Sequence, residues 1–139
     1  MVIGGTVVDI TATAHDTSSK LMLNSSFPGT TRISLGGVGR NVAEAVSKLN
    51  ADGCVFVSAV GGERPEQSIL NMVAEAATGD LFGSWLISEI GRKGMRNLEI
   101  HQISGARTAT YTALHDAAGS LLSAVADMDV SELLSPSKV

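Results

Sequence analysis

The sequence holds one cysteine, Cys54, among its 139 residues. An internal disulfide framework and any multi-cysteine zinc site are thereby excluded, and a reducing, cytoplasmic setting is expected. Aromatic residues are scarce at 4%, and charged residues reach 17%, below the roughly 25% of ordinary soluble domains. A basic excess is missing too: Lys plus Arg is 10 against 14 for Asp plus Glu, a net charge of −4. That balance argues against a nucleic-acid partner. No apolar run approaches the roughly 18 residues of a membrane span. Met1-Val2-Ile3-Gly4-Gly5 lacks the basic start of a secretory signal. His15, His101 and His115 lie far apart in sequence, so neither a metal-ligand set nor a Ser–His–Asp arrangement is expected.

What is present is a chain that can bury a core, with 44% hydrophobic residues. Val2 to Ile10 reads as one buried strand interrupted by a glycine pair. Thr11 to Ser19 is small and polar and reads as a loop. Lys20–Leu23 and Arg32–Leu35 are short strand candidates on either side of a turn at Phe27-Pro28-Gly29-Thr30. Val38 to Leu49 is the strongest helix, with Val42, Ala45, Val46 and Leu49 on one stripe. Cys54 to Val60 is apolar and bounded by glycines, so it reads as an interior strand with Cys54 as a small buried hydrophobe. Helices are expected over Glu66–Ala77 and over Asp80–Gly91, the second capped by Asp80. Phe82 and Trp85 are expected in the core. Leu98–Ile103 reads as a strand. Thr108–Leu114 and Leu121–Ala126 read as a hairpin around a turn from His115 to Ser120. Ser131 to Leu134 reads as the start of a helix. The alternating order predicts an α/β layer with parallel pairing.

One segment suggests chemistry. Gly36-Gly37-Val38-Gly39-Arg40-Asn41 follows a strand and opens the strongest helix. Glycines there let backbone N–H groups approach a ligand, and a helix N-terminus adds donors and partial positive charge. Asn41 offers a donor and an acceptor to a polyhydroxylated ligand. No Gly-Lys-Ser/Thr follows, so this is not a P-loop. The third glycine of a dinucleotide fingerprint is also missing.

With Asp9 behind Gly4-Gly5, Val57-Ser58-Ala59-Val60-Gly61, Asp80-Leu81-Phe82-Gly83, Arg107-Thr108-Ala109-Thr110-Tyr111 and Ala124-Val125-Ala126-Asp127-Met128-Asp129, this segment resembles the N-terminal part of the PfkB (ribokinase-like) carbohydrate kinase family. The last run looks most like the branch that phosphorylates pseudouridine. The resemblance implies a partial ribokinase-like α/β fold over 1–139 with a small β lid, its strands lying within about 20–35 and 108–126. It implies a sugar or nucleoside substrate, ATP and Mg in the full-length family, and a homodimer through the lid strands. It places sugar-hydroxyl contacts on Asp9 and Asn41 and backbone contacts on Gly36 and Gly37. Thr108 and Thr110, on one face by alternation, are expected to meet the substrate from the lid.

The sequence departs from the family in three places. Asn50 stands where a small residue is expected, and the spacing to Gly61 is longer by one. Gly62 to Thr78 intervenes where the strand should run almost directly into the Asp-x-Phe-Gly helix, so 62–78 is expected to be an insertion. No Gly-Ala-Gly-Asp motif occurs, so neither a catalytic base nor most of a nucleotide site is expected, and the polypeptide is expected to be inactive alone. The rival readings are a ribokinase or adenosine kinase, a non-catalytic binding or dimerising fragment, and a truncated gene model.

Overall fold

A computed structural model describes residues 1–15, 26–50, 54–62 and 80–134. The expected strand at Lys20–Leu23, the expected helix at Glu66–Ala77 and the expected insertion beyond Gly62 fall outside the described residues. Two sheets are seen among the described residues. One holds β1 (Val2–Ile3), β4 (Val55–Gly62) and β5 (Asn97–Ser104) in the order β1-β4-β5, all parallel. Helices α1 (Val38–Leu49) and α2 (Leu81–Arg92) pack against it. The other sheet has the order β3-β2-β6-β7. Its strands are β2 (Val7–Ala14), β3 (Gly29–Gly36), β6 (Thr110–His115) and β7 (Leu121–Asp127). Strand β2 runs antiparallel to β3 and parallel to β6, and β6 and β7 form the expected hairpin.

The alternating α/β layer agrees with the sequence pattern, and several local expectations are corrected. Val2 to Ile10 is not one strand. It breaks at Gly4-Gly5-Thr6, and its two halves enter different sheets. The glycine pair permits this: a Cβ on Gly39 of α1 would lie 2.6 Å from the Gly4 Cα, so two backbones touch where the chain changes sheet. Thr11 to Ala14 are not a loop but the continuation of β2, with Thr11 to Thr13 paired on both sides and Ala14 with β3. Thr11 and Thr13 are β-branched and suit a pleated surface. Strand β3 starts at Gly29 rather than Arg32, and the His15 N–H donates to the Pro28 carbonyl at 3.0 Å beside the Ala14–Gly29 pair. His15 and Gly29 thus bound the connection between β2 and β3. His115, expected in the hairpin loop, closes β6 instead. The end of the described chain is a 3₁₀ helix over Asp129–Leu133.

Strand β4 divides the core. Phe56 packs with Ala43, Cys54, Ile90 and Met95, and Val60 packs with Val8 and Leu86, with Phe82 and Trp85 against that group. Ala59, on the other face, packs with Val7, Ala109 and Val130. Helix α1 has its expected bounds but presents a different stripe. Its buried residues are Arg40 and Ala43, while Val42 is exposed and Leu49 is 89% exposed. The backbone contact of Gly39 with Gly4 and the anchoring of Arg40 set the helix so that Ala43 and Val46 meet the core while Val42, Ala45 and Leu49 face outward.

Candidate sugar-binding site at the β3–α1 turn

Strand β3 ends at Gly36, and α1 begins at Val38. Gly37 between them has φ +93°, and a Cβ there would lie 2.3 Å from the Gly5 carbonyl oxygen and 2.8 Å from the Thr6 Cα. Only glycine fits that backbone and that gap. The Asn41 N–H donates to the Gly37 carbonyl at 3.0 Å, which closes the first turn of α1.

Asp9 lies on β2, directly paired with Ser34 of β3 and Tyr111 of β6. Its carboxylate sits on Gly36: a Cβ at Gly36 would fall 2.4 Å from each Asp9 oxygen. Burial pushes the Asp9 carboxyl above its ordinary value, and the Arg40 charge pulls it back part of the way. Arg40 is buried, its Nε donating to the Gly36 carbonyl at 3.3 Å and its Nη2 to the Leu35 carbonyl. Its Nη1 pairs with Glu44, which also accepts from Lys48 at 2.7 Å. The Lys48 hydrogen bond is the main cause holding the Glu44 carboxyl below its usual range.

Asp9, Gly36 and Gly37 are therefore brought together, with Asn41 on the first turn of α1, exposed to solvent. The two threonines are not part of that group. Thr108 is buried at the end of β4, where its hydroxyl accepts from the Gly61 N–H at 3.0 Å and donates to the Asp80 carboxylate. This explains a second departure: Asp80 precedes α2 at the expected position but makes no side-chain cap bond. Gly61 and Gly83 leave room for the knot, since a Cβ on either would lie within 3 Å of Asp80 Oδ2. Thr110 pairs with Val8, and directly paired residues share a face of a sheet. Asp9 points to the opposite face, together with Ser34 and Tyr111. Alternation along the strand links Thr108 to Thr110; it carries no information on which of them shares a face with Asp9. The registers of β2 against β3 and against β6 place Ser34 and Tyr111 directly beside Asp9, a relation invisible from any one strand alone.

No protein-family model matches the chain. The chain is 26% identical over 134 residues to the pseudouridine kinase of Escherichia coli K12, a match covering 96% of this chain and 36% of that protein. Among solved structures it is similar to a sugar kinase from Clostridium perfringens, with a TM-score of 0.70 and 27% identity over 99% of this chain and 37% of the other. Ribokinase from Giardia lamblia superposes with the same TM-score of 0.70 at 21% identity, again over 99% of this chain and 37% of the other. The chain thus has a partial ribokinase-like fold and resembles the N-terminal part of PfkB-type carbohydrate kinases. It spans little more than a third of the length of the pseudouridine kinase and of the two solved structures. In this ribokinase-like frame the parallel sheet with its helices is the start of the α/β layer. The β3-β2-β6-β7 sheet is the small β element expected from the sequence, with β2 as its unexpected member.

Proposed function

We propose that this chain is the sugar-gripping portion of an ATP-dependent sugar or nucleoside kinase, with pseudouridine as the substrate and its 5′-hydroxyl as the acceptor. The observation that carries the reading is the Asp9 carboxylate lying on Gly36 at the mouth of α1. A carboxylate accepts hydrogen bonds from two adjacent hydroxyls, and the glycine turn lets a sugar ring approach the backbone. Asn41 adds an amide that donates and accepts. Such contacts hold the attacking hydroxyl in line, and positioning supplies much of phosphoryl-transfer catalysis. In that reaction the hydroxyl oxygen forms a bond to the γ-phosphorus, the bond to the β-phosphate oxygen breaks, and the hydroxyl proton passes to a base.

The glycine turn suits a sugar better than a nucleotide. At the glycine turn the Asp9 carboxylate repels a triphosphate. The Arg40 guanidinium is already spent on Leu35, Gly36 and Glu44. No group of three or more His, Cys, Asp or Glu side chains suited to a metal ion occurs among the described residues. The role we propose is substrate binding, with no phosphoryl transfer by this polypeptide alone. A second reading, a dimerising element, is favoured by the face opposite Asp9, where Ile33 is 54% and Val125 70% exposed.

Calorimetric titration of the full chain with pseudouridine, and with D-ribose and adenosine as competitors, tests the reading. Pseudouridine should bind, and Asp9→Asn should weaken it at least tenfold without loss of fold. Equal binding by the variant, or phosphate transfer from ATP by the purified chain, defeats the proposal.

A further inference from the structure

Arg40 stands in a costly place. It is the third residue of α1, where the helix dipole disfavours a cation, and it is 6% exposed, where burial disfavours any charge. A buried guanidinium persists only when its donors are satisfied, and the partners it has are informative. Nε and Nη2 hold the carbonyls of Gly36 and Leu35, the last two residues of β3. Its own backbone N–H donates to the Gly5 carbonyl at 3.3 Å, inside the link between β1 and β2. Nη1 pairs with Glu44, one turn along α1. One side chain and its backbone thus join the end of β3, the β1–β2 link and α1, and these are the three segments that meet beneath Asp9.

We propose that Arg40 is a positioning residue: it holds the Gly36–Gly37 turn under the Asp9 carboxylate and supplies the countercharge that suits that carboxylate to accept sugar hydroxyls. The inference rests on the sugar-binding reading for its purpose, and on the hydrogen bonds of Arg40 for its mechanism. Lysine cannot replace it fully, because one ammonium lacks the planar fork that reaches two successive carbonyls. The groups facing Asp9 are few. Ser34 and, one rung further, Arg32 face it from β3; Tyr111 faces it from β6; Arg40, backed by Glu44 and Lys48, faces it from α1. Strand β2 itself contributes no other ionisable side chain. Of these, Arg40 is the charge that acts on Asp9.

The test follows the Asp9 carboxyl by ¹³C NMR in aspartate-labelled full chain, its signal identified by its loss in Asp9→Asn. In Arg40→Gln the midpoint should rise by about one pH unit, the lower end of what removing an adjacent opposite charge does. In Arg40→Lys it should stay near the parent value, while the Gly36 and Gly37 amide signals shift because the fork is lost. In Glu44→Gln, which keeps Arg40 and removes its anion, the midpoint should fall. The acid limb of pseudouridine binding should move with the midpoint. A midpoint that is unchanged in Arg40→Gln, or that moves alike in the lysine variant, overturns the proposal. If Arg40→Gln does not fold, an unchanged midpoint in Glu44→Gln overturns it. If the parent chain binds neither pseudouridine nor D-ribose, the sugar-binding reading fails, while the Asp9 midpoints still decide the role of Arg40.

Discussion

Two strands of this protein carry nearly the same words. Strand β4 contains Val57-Ser58-Ala59-Val60, and β7 contains Leu122-Ser123-Ala124-Val125. In β4 the run is buried throughout, and Val60 is 0% exposed; in β7 it is exposed throughout, and Val125 is 70% exposed. The difference lies in position. Strand β4 is the middle of the parallel sheet, with helices on one face and Val7, Ala109 and Val130 on the other. Strand β7 is an edge, held by β6 alone among the described residues. Burial is a property of the neighbours a strand acquires, and apolar composition states only what a strand can tolerate. The site follows the same division. The β3-β2-β6-β7 sheet supplies both the Asp9 carboxylate and the Gly36 end of the turn, and α1, packed on the buried layer, supplies the turn's other side.

The sharpest way to break this comparison is to place the same charge in both strands. Val60→Asp buries an unpaired carboxylate, costing several kcal/mol, which should leave no folded, soluble chain. Val125→Asp should shift the urea midpoint by no more than about 0.5 kcal/mol equivalent. If the lid strands pair two copies, the same variant should reduce the sedimentation mass from dimer to monomer. Similar destabilisation by both substitutions would mean that β7 is covered in solution within the monomer.

A smaller effect is expected where the two regions are tied. Thr108→Val keeps the shape but leaves the Gly61 N–H and the Asp80 carboxylate without the shared hydroxyl. A loss of about 1–3 kcal/mol is expected in chemical unfolding, with pseudouridine affinity unaltered. A selective loss of affinity would instead return Thr108 to the substrate contacts expected from the sequence.

The smallest effect concerns Asp9 itself. Its carboxyl is raised in the folded state, so the fold disfavours the ionised form. The penalty is absent below the unfolded value and fully present above the folded one. Asp9→Asn and the parent should therefore unfold alike near pH 3, with the variant becoming the more stable as pH rises through that window. Glu44, held low, has the opposite sign: its contribution is present at neutral pH and fades as acid protonates it. Urea midpoints from pH 3 to 8 measure both trends, and a variant less stable than the parent at neutral pH contradicts the assignment for Asp9.

Much of this architecture is legible in the residues. Val38 to Leu49 announces its bounds because a glycine turn precedes it and its apolar period is helical. The hairpin is legible from Asp116 and Gly119, where Gly119 takes φ +84° and the Asp116 carboxylate accepts from the Ser120 N–H at 2.8 Å. Gly36-Gly37 and Asp9 are legible as a site only through resemblance, since nothing local links two residues so far apart in sequence. The division of Val2 to Ile10 between two sheets is not legible, because both halves are apolar and periodicity does not say which neighbour each will find. The outward turn of Val42 and Leu49 is hidden for a related reason. The apolar stripe of α1 is real, but a backbone contact at Gly39 and a buried arginine decide which side meets the sheet.

The parallel pairing of β2 with β6 has a consequence during synthesis. Val8 is joined to Thr110, so β2 must wait for nearly the whole described chain to be made before its second edge is covered. At ribosomal rates of about 5–20 residues per second, that wait lasts roughly 5–20 s. Its antiparallel partner β3 arrives early and closes one side. The other side, bearing Val8, Asp9 and Ile10, stays open as a template for any passing strand. The newborn protein is thus open to mispairing along the same strand that carries its proposed sugar-binding carboxylate, and a chaperone that shields this edge would act on that step rather than on the finished fold.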